Sequence, residues 1–160
     1  AWLAGTARPT ALDWSIWGYH LPNDLVHQRI IHDPHGVMAG WKARLASYPE
    51  VLRTRLLAEN MALLRYWRDD YHYESKVLRE DTVFLAGLAS HLVHAILQVI
   101  FALNRVWFPG DGWILSFVGA LPAQPADLSA RSTAILAPPD PATQRRTLIA
   151  LIDDLTPLTA

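Results

Sequence analysis

Lys76, Arg79, Glu80 and Asp81 make the best candidate site in the chain. Lys76 and Glu80 are four residues apart, the spacing that pairs side chains on one helix face. Asp81 lies one residue's rotation away. A carboxylate at the mouth of a helical bundle can accept a proton from a hydroxyl or bind an amine. The competing structural role is to complement a helix N-terminus or form surface ion pairs, and the residues alone favour it. Further on, His91 and His94 are three apart with Gln98 on the same stripe. Such a pair can ligate a metal, but helical metal signatures use i, i+4 spacing with a nearby Glu. No third ligand is spaced to help, so a polar stripe is the better reading and no metal is expected. His32-Asp33-Pro34-His35 places three possible ligands in four residues, in a composition typical of a turn. Asn104 and Arg105 can hold a polar substrate or cap a helix end; for Asn104 capping and packing are preferred. There is no G-x-S-x-G, P-loop, H-E-x-x-H or G-x-G-x-x-G.

These residues hang on one long uncharged run, Thr82 to Asn104, opened by Arg79-Glu80-Asp81 and broken by Phe108-Pro109-Gly110-Asp111-Gly112. Its length would suffice to cross a membrane. Its composition argues otherwise, because Ser90, His91, His94, Gln98 and Asn104 lie inside it. At about 100° per residue, Glu80, Gly87, His91, His94, Gln98 and Arg105 fall in one narrow stripe. Leu85, Leu92, Val93, Ile96, Ile100 and Leu103 fall on the other side. That is the pattern of a central helix in a soluble bundle, so no membrane is expected.

Composition agrees. The chain has 160 residues, 51% hydrophobic and 18% charged, which suits one domain with a real core. A net charge of −1 gives no reason to expect nucleic acid as a partner. The absence of cysteine excludes disulfides and thiolate metal sites and fits a cytoplasmic protein. Ala1-Trp2-Leu3-Ala4-Gly5 does not read as a signal peptide, and the missing initiator Met favours a fragment.

Around the central run the elements are mostly helical. Asp13 to Tyr19 reads as a short strand, Leu21 to Asp24 as a turn or a helix start, Val26 to Ile31 as a second short strand or extended segment, and His32 to Gly36 as a turn. Helical spacing begins at Val37. A second helix covers Glu50 to Tyr71, with Ser47 as its candidate cap. Asp69-Asp70 can open the next element, because acids disfavour a helix C-terminus. The long central element spans Glu74 to Arg105 and can be continuous. Further helices are expected over Trp113–Ala120, Asp127–Leu136 and Ala142–Leu155. The fold class is mainly α: a helical bundle with a long central helix and a short extended N-terminal lead-in, divided as residues 1–36 and 37–160.

One ordered set of segments carries a resemblance. It comprises His32-Asp33-Pro34-His35-Gly36, Arg44-Leu45-Ala46-Ser47-Tyr48-Pro49, Arg79-Glu80-Asp81, Phe101-Ala102-Leu103-Asn104, Trp107-Phe108-Pro109 and Trp113. The chain resembles the helical C-terminal domain, catalogued as of unknown function, of predicted bacterial nucleotidyltransferases of the polymerase-beta type. The resemblance implies an N-terminal catalytic domain whose Gly-Ser turn and Asp-x-Asp pair bind Mg2+ and a nucleoside triphosphate. The helical domain would close the cleft and hold a small-molecule acceptor. This sequence has no Gly-Ser turn followed by Asp-x-Asp, so no cofactor is expected in this chain. Position by position, Arg79, Asp81, Asn104 and Trp113 match. Gly112 stands where the family usually has Lys, so any contact made by that Lys is lost.

The candidate catalytic residues are therefore Asp81, with Glu80 beside it. The candidate substrate-binding residues are Lys76, Arg79, His91, His94, Gln98, Asn104, Arg105 and Trp113. Two other readings compete. One is a HEPN-like RNase or toxin-type module, using Arg65 and His72 with six residues between them. The other is a helical interaction domain with no chemistry. The sequence does not specify the oligomeric state.

Overall fold

The computed structural model describes residues 3–6, 21–110 and 113–159. Among them the order is α1 (Leu21–His27), α2 (Val37–Leu45), α3 (Glu50–Asp69), α4 (Tyr71–Leu78), α5 (Thr82–Asn104), α6 (Ile114–Val118), α7 (Leu128–Leu136) and α8 (Pro141–Leu155), closed by a 3-10 turn at Thr156–Thr159. No strand occurs among the described residues. The molecule is the mainly α bundle that its periodicity predicts, built on one long helix.

That helix is α5. Fourteen of its residues are buried, in a nearly unbroken block from Leu92 to Leu103. It packs along α3 and also touches α4, α6, α7 and α8. A helix surrounded on so many sides must be apolar over most of its surface, which is why the run carries no charge. By length and composition α5 passes for a membrane span, yet 61% of its most apolar window is buried inside the fold. It is a core helix. α3 presents Leu52, Leu56, Met61 and Leu64 inward, and α8 presents Leu148, Leu151, Ile152 and Leu155 at i, i+3, i+4 and i+7. Each of these four α8 side chains is fully buried, and each contributes about 2 kcal/mol from burial alone. A smaller cluster of Leu45, Leu52, Leu56, Ala102 and Trp107 ties α2 to the α3–α5 pair.

Three expectations need correction. Residues 26–31 do not form a strand: Val26 and His27 finish α1, and the chain then runs irregularly to Gly36. The β-branched Val and Ile in that stretch misled. Local bonds hold the helix, with Asp24 in its first turn and His27 Nδ1 at 2.9 Å from the Asn23 carbonyl. The central element is not continuous from Glu74, because α4 ends at Leu78 and α5 starts at Thr82. Ser47 does not cap α3; Pro49 occupies the N-cap position, with no side-chain bond. Asp70 opens α4, its carboxylate accepting from His72 N–H at 3.2 Å. The strand expected at Asp13–Tyr19 lies outside the described residues.

Candidate functional site

The acidic triplet is a joint between two helices. Glu80 sits in the left-handed region at φ 54. Glu80 N–H donates to the Val77 carbonyl and Asp81 N–H to the Lys76 carbonyl, each at 3.1 Å. This is a Schellman turn closing α4, with Glu80 at the left-handed position where glycine is usual. Asp81 follows at once as the N-cap of α5, accepting from Phe84 N–H at 3.2 Å. Its other oxygen accepts from Lys76 Nζ at 3.0 Å, and that ammonium also lies 5.2 Å from the Phe84 ring centroid. Lys76 thus pairs with Asp81 across the turn; the expected partner, Glu80, is exposed, as is Arg79. The Lys76 hydrogen bond, then the Phe84 amide, hold the Asp81 carboxyl below the usual carboxylate range. A carboxylate so stabilised keeps its charge and is a weak base at neutral pH.

The stripe runs down α5 from surface to interior. His91 is exposed, His94 is half-buried and Gln98 is 4% exposed. Burial, with His91 adding to it, lowers the His94 pKa to about 3, so its ring is neutral at physiological pH. His94 meets Phe108 edge to face at 5.8 Å, Phe108 meets Phe101 at 5.4 Å, and Phe101 stacks on Phe117 of α6 at 5.8 Å. This ladder of rings joins the stripe to the segment after α5. Below it, Gln98 Nε2 is buried with no hydrogen-bond partner among the described residues. An orphan amide donor inside a fold costs about 1–3 kcal/mol.

The foot of α5 is a second Schellman turn. Arg105 has φ 54, its N–H donates to the Ala102 carbonyl at 3.2 Å, and Val106 N–H donates to the Phe101 carbonyl at 3.0 Å. Asn104 clamps the following loop. Its Nδ2 donates to the Ile100 and Ala123 carbonyls at 2.8 Å each, and its Oδ1 accepts from Ala123 N–H at 2.9 Å. Arg105 pairs with Glu50 at 3.2 Å. Trp113, 87% exposed and at φ 55, precedes α6. At 1.5 Å per residue, head and foot are about 35 Å apart. One small molecule therefore cannot touch Asp81 and Asn104 together.

The family comparison covers this ground. The model of a domain of unknown function (DUF4037) matches residues 23–114, more than half of the chain. The chain belongs to that family. The matched span starts inside α1 and ends at the first residue of α6, so it contains both turns, the stripe and the whole of α5 in this DUF4037 chain. Neither the curated proteins nor the solved structures gave a match.

His32-Asp33-Pro34-His35-Gly36 is a helix start. Gly36, at φ 66, turns the chain into α2, and the Asp33 carboxylate accepts from Ala39 N–H at 2.9 Å. Both histidines are exposed. Among the described residues, no three His, Asp or Glu side chains gather closely enough to hold a metal ion. Sequence reasoning missed the anchor at Trp107. Its indole N–H donates to the Leu45 carbonyl at 3.1 Å, and its ring lies 4.7 Å from Tyr48. A lone Trp carries no spacing signal that would have found this.

Proposed function

We propose that this chain is the acceptor-binding helical domain of a cytoplasmic nucleotidyltransferase-like protein, inactive without an N-terminal catalytic domain that carries Gly-Ser and Asp-x-Asp. Mg2+ and the nucleoside triphosphate belong to that domain; the described residues here have no acidic cluster to fit them. The observation that carries the reading is Gln98. A buried amide donor, without an acceptor among the described residues, lies at the inner end of a stripe that reaches the surface at His91. A hydroxylated or aminated small molecule can satisfy it by offering oxygen or nitrogen to the Gln98 N–H. The acceptor then sits on the stripe, about 25 Å from Asp81, whose carboxylate serves the joint.

Isothermal calorimetry of this chain tests the reading, using hydroxylated and aminated small molecules and nucleoside triphosphates. An acceptor should give saturable heat that falls at least tenfold in Gln98→Leu, while triphosphate alone gives none. Unchanged acceptor binding by the variant, or no heat from any acceptor, counts against it. The RNase reading gains nothing from Arg65 and His72. They lie on different helices, either side of the break at Asp70, and His72 Nδ1 is tied to Asp70 at 3.1 Å.

A further inference from the structure

A groove of about 310 Å3 opens between the first turns of α5 and the α7–α8 connection. Leu85, Ala86, Leu136, Pro138 and Pro141 form its apolar walls, and Gln144 lines it as well. It is separate from the stripe: Ala86 lies about 100° round α5 from Gly87. Gln144 is 3% exposed. Its Nε2 donates to the Ile135 carbonyl at 2.9 Å, which fixes the orientation of the amide, since the flipped form would set oxygen against oxygen. Its Oε1 is left without a donor among the described residues.

We propose that this groove binds a small neutral molecule with an apolar body and one hydrogen-bond donor, the donor reaching Gln144 Oε1. The volume is at the lower end for ligand pockets and suits a single ring. Charge is selected against on both sides. α5 and α8 both begin at the groove, at Thr82 and Pro141, and two helix N-termini disfavour a cation. Asp140 also lines the groove, with its carboxylate oxygens held by the N–H and hydroxyl of Thr143 at 2.8 and 2.6 Å, and it disfavours an anion. Among the described residues, no Lys or Arg lines the groove to reverse that preference.

Phenol is the probe, with anisole as its match in shape without the donor, followed by 1H–15N correlation spectra of the whole chain. Phenol should give saturable shifts centred on Ala86, Leu136 and Gln144, and anisole should bind about fivefold more weakly for want of one hydrogen bond. Ala86 is exposed, so Ala86→Phe fills the groove without disturbing the core and should abolish the shifts. Gln144→Leu should bind phenol and anisole alike. Shifts that never saturate, equal binding of the two probes by the unmodified chain, or an unchanged titration in Ala86→Phe would overturn the proposal.

Discussion

The two ends of α5 share one backbone device and are secured in opposite ways. Each is a Schellman turn with a charged residue in the left-handed position, Glu80 at the head and Arg105 at the foot. The head is secured ionically at a partly exposed joint, by the Asp81 cap and its lysine. The foot has an ion pair at its surface too, Arg105–Glu50, but beneath it neutral groups hold the chain: the Asn104 amide on Ala123 and the Trp107 indole on Leu45. The head therefore depends on a charged cap, while the foot adds amide and indole hydrogen bonds beneath its surface ion pair. Residues that look reactive in the sequence serve architecture at both ends. The polar groups left over lie between them.

The largest effect should come from breaking the foot. Asn104→Ala removes three hydrogen bonds and strands both polar groups of Ala123, at a cost of about 2–3 kcal/mol in urea denaturation. Asp81→Ala should destabilise in the same direction but less, because its partners are half-exposed. Only the Asp81 variant should lose its penalty in high salt. Equal losses with equal salt dependence would erase the contrast between the ends.

Acid should separate them again, through the stripe. His94 in the fold has a pKa near 3, below its ordinary value of 6.5. The unfolded chain takes up the proton first, so the contribution to stability is complete above about pH 6.5 and falls as pH drops towards 3. Between pH 6.5 and 4 the loss should be about 3 kcal/mol, read as a falling urea midpoint. His94→Leu should flatten that slope. Asp81 acts in a lower window: its folded pKa is depressed, so its contribution holds above the ordinary carboxylate range and is lost as pH falls through its folded value. A His94→Leu chain with an undiminished slope between pH 6.5 and 4 would show that the imidazole is not the group responsible.

Much of this was legible because helices announce themselves by period and punctuation. α3, α7 and α8 begin and end close to their expected limits, since Pro49, Asp127 and Asp140-Pro141 mark their starts. The stripe followed from spacing of about 100° per residue. Its descent from exposed His91 to buried Gln98 did not, because depth depends on what the rest of the chain lays over the helix. The acidic triplet did announce the start of α5, which Asp81 caps, but the end of α4 just before it was hidden for a different reason. A Schellman turn normally declares itself by glycine, and here Glu80 takes the left-handed position, so the sequence passes for uninterrupted helix. The fault with α1 was local as well: Val26-His27-Gln28-Arg29-Ile30-Ile31 has strand-like composition, while backbone bonds decide its first half.

Those two left-handed residues permit the finest test of the comparison. A side chain at φ 54 is strained by about 1 kcal/mol relative to glycine, so glycine at either position relieves the same backbone strain. The difference lies in what each side chain does besides. Glu80 is exposed and has no ion pair among the described residues, whereas Arg105 holds Glu50 at 3.2 Å. Glu80→Gly should therefore stabilise by up to about 1 kcal/mol, and Arg105→Gly by less, since the lost ion pair offsets part of the relief. Raising the salt concentration should weaken the Arg105–Glu50 attraction in the parent chain and bring the two gains together. If Arg105→Gly gains as much as Glu80→Gly at low salt, the Arg105–Glu50 contact contributes nothing. The foot of α5 would then rest on Asn104 and Trp107 alone.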